Sequence, residues 1–326
     1  MQTIYFRTRG GDRQGWGNVI RLLSIYNFFS KKFKCLFIYE GNENVRRYID
    51  KLNINSLKLK TNIKVFEEKK VIDKLKKSDF SIMEMLNCNF LRQKIYKDKS
   101  KKLIVIDDIL KKKYCSDIVI CGQKKYTKFS NLNLKSGYKY FPLRDDFKKF
   151  LKKKKKIKKN IRKITVILGG GKYKVAYIKI INFFKNTNYN ITVILGMENN
   201  DLYNLYNNKY KNIHLVKTEY NLSRKLFYSD LVICGGGYTK VETAYLKTPM
   251  IVFPVQKHQI SLCQDFFKYT KIKYLPLPTK LQIKTLKSII SEYDYIKRLK
   301  IFKILMAKFK SNNFEKIISK IVLKKK

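Results

Sequence analysis

Alanine is almost missing from this chain: three of 326 residues, Ala176, Ala244 and Ala307. Tryptophan occurs once, histidine twice and proline five times. Six cysteines stand at positions 35, 88, 115, 121, 234 and 263 with no C-x-x-C pair, and the histidines are only His214 and His258. That spacing excludes a thiolate or mixed zinc site, so no metal is expected. Cys35, Cys121 and Cys234 fall in the apolar runs KCLFIY, IVICG and LVICGGG, where a reduced thiol packs as a small hydrophobe. No apolar run approaches the ~18 residues of a membrane-spanning helix. The opening, MQTIYFRTRGG, lacks a basic segment followed by an apolar core and a small-residue cleavage site. A cytoplasmic location is therefore the expectation, with peripheral contact to a membrane left open by the charge.

Acidic residues are scarce as well: 24 against 73 Lys and Arg, a formal net charge of +49. Such an excess suits a polyanionic partner, an anionic membrane or a nucleic acid. It is equally what an AT-rich coding sequence produces, because the excess is mostly lysine and comes with abundant Asn, Ile, Tyr and Phe. The lysines are spread over every segment, and no module with basic and aromatic residues at fixed spacing appears, so no specific nucleic-acid partner is expected.

What is present is a folded protein. Hydrophobic residues make up 44% and aromatics 14% of the chain, far above a disordered composition. At about 150 residues per domain, the length accommodates two domains. Short β-rich apolar runs alternate with longer stretches of helical period, the pattern of an α/β protein with parallel sheets covered on both faces. Strands are expected at 3–7, 35–39, 103–106 and 118–121, then at 164–168, 191–195, 231–234 and 250–253. Between these halves runs KKFLKKKKKIKKNIRK, residues 148–163, whose self-repelling charge makes a poor core and a good linker. The expected division is 1–148 for a first Rossmann-like domain, 149–163 for a basic linker and 164–326 for a second. A last amphipathic stretch at 295–322, with Leu299, Phe302, Leu305, Met306, Phe309 and Phe314 near helical spacing, is expected to close the second domain or cross back to the first.

In open parallel sheets, ligands bind beyond the carboxyl ends of the strands. The glycines stand there. Gly15 and Gly17 follow the first strand, Gly169, Gly170 and Gly171 follow the first strand of the second half, and Gly235, Gly236 and Gly237 follow Cys234. Exposed backbone N–H groups at a helix start bind phosphate, so three such clusters point to a nucleotide-type ligand; tight strand-to-helix turns without a ligand are the alternative.

IYFRTRGGDRQGWGNVIRLLS at the start resembles the opening of the nucleotide-sugar hydrolases of pseudaminic acid biosynthesis, which release UDP from a 2,4-diacetamido-trideoxy-altrose donor, and of their spore-coat polysaccharide relatives. Arg7, Gly15, Gly17, Val19 and Arg21 fall into that family's strand arginine and G-x-G-H-x-x-R pattern. IVIDDILKKKYCSDIVI resembles its Asp-Asp turn, and GYKYFPLRDDF its Gly-x-x-Tyr and Leu-Arg segment. VILGGGK and NLSRKLFYSDLVICGGGYTKVETAYLKTPMIVFPVQKHQ resemble the nucleotide-binding half of the same family and of the lipid II-forming N-acetylglucosaminyltransferases.

The resemblance covers residues 3–265. It implies a GT-B fold, two Rossmann-like domains with parallel sheets facing a central cleft, and a UDP-sugar as the small-molecule partner, with no further cofactor and a monomeric chain. It assigns Arg7, Gly15, Gly17, Arg21, Gly169 and Gly170 to substrate binding. Gly236, Gly237, Tyr238 and Thr239 are placed near the diphosphate, Glu242 at the ribose hydroxyls, and Gln259 at a sugar or phosphate contact. A carboxylate suits a diol because it accepts two hydrogen bonds; a solvated glutamate in the first turn of a helix is the alternative.

Departures from the family pattern fall on its chemistry. Asn18 stands where the family has its histidine, Arg9 where it has an aspartate, Gly171 and Lys172 follow Gly169-Gly170 in place of Ser-Asp, and Lys247 replaces a glycine before the proline. Asparagine positions a water but takes no proton from it. Asp12 in the same loop and His258 beside Gln259 are the candidate substitute bases, with a loop-capping aspartate and a surface histidine as alternatives. The resemblance thus implies a UDP-sugar hydrolase with altered chemistry; a GT-B glycosyltransferase or a non-catalytic nucleotide-sugar binder is the alternative.

Overall fold

Two sheets, both parallel throughout, organise the chain. The computed structural model describes residues 1–11, 15–86, 88–110, 113–124, 132–217, 222–280 and 283–323. By its contacts the chain forms two compact units, Met1–Pro142 with the chain from Asn312, and Leu143–Ser311.

The first unit carries β1 (Thr3–Arg9), α1 (Gly17–Phe29), β2 (Lys34–Glu40), α2 (Glu43–Asp50), β3 (Ser56–Leu59), α3 (Val65–Asp73), β4 (Ser78–Glu84), α4 (Phe90–Lys99), β5 (Ser100–Ile106), β6 (Ile118–Cys121) and β7 (Leu134–Ser136). Its seven strands are ordered β3-β2-β1-β4-β5-β6-β7. Ile4, Phe6, Ile38, Ile82, Leu103 and Val119 are buried between the covering helices, the cause of the unbroken apolar runs. Asparagine, abundant here, serves as N-cap: Asn42 accepts from the amide of Val45 and Asn89 from that of Arg92.

The second unit carries α5 (Asp145–Lys148), β8 (Lys163–Ile167), α6 (Lys174–Phe184), β9 (Asn190–Leu195), α7 (Asn200–Tyr206), β10 (Ile213–Lys217), α8 (Leu222–Phe227), β11 (Leu231–Gly235), α9 (Thr239–Tyr245), β12 (Met250–Phe253), α10 (Gln259–Thr270), α11 (Ile283–Ser291) and α12 (Tyr295–Lys308). The strand order is β10-β9-β8-β11-β12. A last helix, α13 (Phe314–Leu323), belongs to the first unit, where Asn312 donates its side-chain amide to the Phe141 carbonyl.

In each sheet the chain builds one side, returns to the first strand and builds the other, so each has a switch point, between β1 and β4 and between β8 and β11. Ligand crevices form at such points. All eight expected strands are present, and β3, β4, β7 and β10 join them.

The segment expected as a linker is a strap fixed to the second unit. Asp230 accepts from the amides of Arg162 and Lys163, and Arg298 of α12 donates to the carbonyls of Lys158 and Lys159. The Lys155 ammonium donates to the carbonyls of Phe227 and Ser229, and burial pushes its pKa down to about 7. Residues 143–150 belong to this unit too: Phe147 is buried, Phe150 packs on Phe227, and Asp146 accepts from the Ser223 amide. The units therefore divide at Pro142 rather than in the lysine run.

Burial of Lys155 fixes the sign of a pH effect. Below about 7 the amine is charged folded and unfolded, and the desolvation cost is fully present. That cost is relieved as the pH climbs from there toward the ordinary lysine value of about 10.4. Urea unfolding of the wild type should gain free energy between pH 7 and 10 more steeply than unfolding of Lys155→Met. Equal slopes would mean that the folded protein keeps this amine charged.

Candidate functional site

In the first unit, β1 ends at Arg9, and the turn before α1 is closed by paired hydrogen bonds between Gly11 and Gly15, amide to carbonyl at 3.1 and 2.7 Å. Gly11 at φ 118° and Gly15 at φ 70° use backbone conformations that suit glycine. At Gly10 a Cβ would stand 2.4 Å from Val19 Cγ2, so loop and helix pack in contact. Gly17 opens α1 and Asn18 is buried in its first turn. Asp12 lies outside the described residues.

Arg7 and Arg21 are both buried and ion-paired. Arg7 is fully buried, with Nε 2.7 Å from Glu68 Oε1 and Nη2 3.0 Å from Glu40 Oε2. Arg21 is 3% exposed and pairs with Glu84 and, at 2.7 Å, with Asp108. Their guanidinium groups brace the carboxyl end of the sheet. The Asp-Asp turn braces the same end, since Asp108 accepts from the Gly122 amide, and Asp107 from the Ile109 amide and the Tyr114 hydroxyl. Arg9, at the family's aspartate position, pairs with Glu40 at 2.7 Å.

In the second unit, three loops at the carboxyl end of the sheet come together. After β8, Gly169 (φ 106°) and Gly170 are partly exposed and Gly171 is buried. The buried Asn199 ties this loop to the end of β9, accepting from the Tyr173 amide and donating to the carbonyls of Gly171 and Gly196. A Cβ on Gly235 would stand 2.2 Å from the Leu168 carbonyl oxygen, so β8 and β11 approach at their ends as only glycine allows. At Gly236 it would meet Cys263 Sγ at 2.6 Å and Pro254 Cα at 3.1 Å.

Lys240, fully buried, donates from Nζ to the carbonyls of Gly236 and Gly237, at 2.7 and 3.0 Å. An ammonium beneath a glycine loop fixes its carbonyls inward and adds positive charge under it. Gln259 accepts from the Val255 amide, and its Nε2 lies 3.7 Å from where a Cβ of Gly237 would be. Gln256 Nε2 reaches the Tyr173 hydroxyl at 3.4 Å, which brings the β8 loop to the β12 loop. Burial and the nearby Lys240 push the His258 imidazole below its ordinary value, so it is neutral at pH 7. Tyr238 and Thr239 are partly exposed at the start of α9.

Glu242 is 7% exposed, and both of its oxygens are met by Arg144: Nε to Oε1 at 2.7 Å and Nη2 to Oε2 at 3.2 Å. Lys247 has φ 57°, the left-handed conformation that explains a glycine at this position in the family pattern. Its ammonium is buried without a hydrogen-bond partner among the described residues, and burial lowers its pKa.

Gly169, Gly170, Gly236, Gly237 and Gln259 are thus gathered at one sheet end. Lys240, Asn199 and Arg144 do not stand out in the sequence; the first lies inside the GGGYTKVE segment and the last inside the Leu-Arg segment, both of which carry the resemblance. Among the described residues, no group of three or more His, Cys, Asp or Glu could hold a metal ion, and no helix is long and apolar enough to cross a membrane.

No family model matches the chain. An uncharacterised protein of Methanocaldococcus jannaschii is 28% identical over 283 residues, covering 80% of this chain and 57% of that protein. The chain therefore spans little more than half of that relative's length. Among solved structures, MurG of Acinetobacter baumannii matches with a TM-score of 0.66 at 10% identity, covering 99% of both chains. A calicheamicin glycosyltransferase matches at 0.65 and 9% identity, over 99% of this chain and 97% of that one. The UDP-GlcNAc 2-epimerase of Neisseria meningitidis, bound to UDP-GlcNAc, matches at 0.57 and 12%, over 98% and 100%. The fold is GT-B. This likeness agrees with the link to the lipid II-forming transferases and lends nothing to the pseudaminic acid hydrolases.

Proposed function

We propose that the chain is a glycosyltransferase that draws its sugar from a nucleotide-sugar donor, with UDP as the nucleotide held by the second unit. The observation that carries this is the glycine loop pinned by Lys240 at the sheet's switch point. Backbone amides there, with a buried ammonium beneath, suit a diphosphate. The fold is shared with MurG and with a protein bound to UDP-GlcNAc, which supports the same reading.

In transfer, an acceptor hydroxyl attacks the anomeric carbon. The bond from that carbon to the diphosphate oxygen breaks, both electrons leave with UDP, and the acceptor's proton passes to a base. Fixed donors around the leaving diphosphate stabilise the charge that develops on it. Gly237, Tyr238, Thr239, Gly169 and Gly170 fit that role, while Gly236, whose amide donates to the Phe253 carbonyl, shapes the loop, with Glu242 at the ribose and Gln259 at a phosphate or sugar oxygen. Neutral His258 fits as a donor or proton acceptor on the same side. Asn18, with Gly15 and Gly17, fits the sugar or acceptor side, where its amide orients a hydroxyl without taking its proton. Asn18 removes the family's hydrolytic base, and a transferase would take the acceptor's proton with another group, for which His258 is the candidate.

Incubation with UDP-, GDP- and CMP-sugars, with and without an acceptor mixture, reading free nucleotide by chromatography, tests the proposal. Release that needs acceptor supports transfer. Release into water alone would restore the hydrolase, and UDP binding without release would make the chain a binder. Failure to bind any nucleotide would remove the site.

The basic strap bears on a second partner, an anionic lipid surface. Lys152, Lys153, Lys154, Lys156, Lys158 and Lys159 are exposed on a backbone anchored by Asp230 and Arg298, with half-exposed Tyr228 beside Phe150 and Phe227. Each lysine near such a surface contributes about 1 kcal/mol at modest salt. Sedimentation with phosphatidylserine vesicles should capture the protein at low salt and release it as ionic strength rises. Replacing these lysines by glutamine should weaken capture. Equal capture by the variant, or binding only to oligonucleotides, would dismiss the lipid partner.

A further inference from the structure

Glu242 and Arg144 meet from opposite sides of the second unit's sequence, 98 residues apart. Glu242 projects from α9. Arg144 is the residue before α5, and that short helix is a mount for it. The Arg144 carbonyl accepts from the amides of Phe147 and Lys148, and the guanidinium lies 4.7 Å from the centre of the Phe147 ring. Phe147 is fully buried, and Asp146 accepts from the Ser223 amide, which anchors the mount to α8. The fork of Arg144 is thus aimed before any ligand arrives.

Two consequences follow from a bidentate pair at this place. The first is orientation: parallel bonds to both oxygens fix the plane of a carboxylate that would otherwise turn about its last torsion. Each oxygen carries two lone pairs, so the bonds from Arg144 leave the carboxylate a competent acceptor for hydroxyls. The second is charge. A lone carboxylate near a diphosphate repels it, whereas a carboxylate neutralised by a guanidinium accepts hydroxyl hydrogen bonds without that repulsion.

We propose that Arg144 is a positioning residue for ribose recognition, holding the Glu242 carboxylate in plane and cancelling its charge so that a ribose diol and a neighbouring diphosphate are bound together. This rests on the proposed role of Glu242 at the ribose.

The test compares the affinity of UDP with that of 2′-deoxy-UDP by calorimetric titration of the full chain, with melting temperatures alongside. Wild type should prefer UDP by about tenfold, the factor that corresponds to ~1.4 kcal/mol. Glu242→Ala should bring the ratio near one. Arg144→Gln should bring it within about twofold of one, with 2′-deoxy-UDP also weakened because the uncancelled Glu242 carboxylate repels its diphosphate, and Arg144→Lys, which keeps charge without the fork, should fall between. A ratio unchanged in Glu242→Ala would overturn the ribose role itself. A ratio that collapses in Glu242→Ala yet survives in Arg144→Gln would overturn only the proposal for Arg144. Equal loss of both nucleotides in Arg144→Gln, with the UDP preference intact and the melting temperature lowered, would reduce Arg144 to a structural brace. Where Arg144→Gln does not fold, Arg144→Lys decides, and a full wild-type ratio in it would overturn the proposal.

Discussion

Glu68→Ala should cost the first unit about 3–5 kcal/mol of stability, the range for breaking one side of a buried ion pair. Glu68 has no exposed surface, and its carboxylate takes Arg7 at 2.7 and 3.2 Å, Arg92 at 2.6 Å and the Tyr96 hydroxyl at 2.9 Å. Its removal leaves Arg92 with the Ile63 carbonyl, and Arg7 with the Thr8 carbonyl and Glu40, a carboxylate it shares with Arg9. Two guanidinium groups then stand in a low-dielectric interior with too few acceptors. Replacing all three partners, Arg7→Met with Glu68→Leu and Arg92→Met, should cost far less, because no uncompensated charge remains. Urea unfolding followed by circular dichroism measures both. A loss below about 1 kcal/mol in Glu68→Ala would mean that the site is a surface-like pair in energetic terms.

The same carboxyl sets an acid response. Burial acts to raise its pKa, but Arg7 and Arg92 outweigh that and hold it below the ordinary value. A depressed carboxyl contributes stability that is present above the unfolded pKa and lost as the pH falls through the folded one. Wild type should therefore weaken on acidification below about pH 4, the ordinary glutamate range, more than the triple apolar variant does.

The strands that the sequence announces are those whose side chains are apolar on both faces. IVIC of β6 and MIVF of β12 are buried at every position. β4 is different: it lies beside β1 in the middle of its sheet yet reads SDFSIME. Its two carboxylates make bonds that periodicity does not register. Asp79 accepts from the Thr3 amide and pairs with Lys101, and Glu84 pairs with Arg21. β3 and β10 are edge strands with exposed lysine or histidine positions, where one face and one edge meet water. At 295–322 Leu305, Phe309 and Phe314 are buried as expected, but in the first turns Arg298 and Ile301 are buried in place of Leu299 and Phe302, and Met306 is exposed; the Arg298 guanidinium finds carbonyls of the strap.

The glycine loops were legible because glycine marks close backbone approach, as at Gly235 against Leu168. Partners that act across sequence were not. Nothing local in PLRDDF says that Arg144 meets Glu242, and nothing in GGGYTKVE says that its lysine turns inward. For Arg7 and Arg21, sequence reported the residue type and position but not the carboxylates that engage them.

Glu242→Ala should weaken UDP binding by about tenfold to a hundredfold, the equivalent of ~1.5–3 kcal/mol for a charge-assisted contact. The sign of the change is informative because two effects oppose each other. If Glu242 accepts ribose hydroxyls, its loss removes hydrogen bonds from every ligand that has the ribose, so uridine, UMP and UDP should all lose by a similar factor. If instead the carboxylate only faces the diphosphate, its loss removes repulsion and frees the Arg144 guanidinium, whose side chain is 19% exposed, to attract phosphate. UDP would then bind more tightly while uridine stayed unchanged. Glu242→Gln separates charge from shape, since its amide keeps one acceptor oxygen but no longer pairs bidentately with Arg144. In the ribose role its losses should be smaller than those of Glu242→Ala and again similar for uridine and UDP. A gain in UDP affinity in either variant would move Glu242 from the ribose to the diphosphate side and would make Arg144 the residue that contacts the anion.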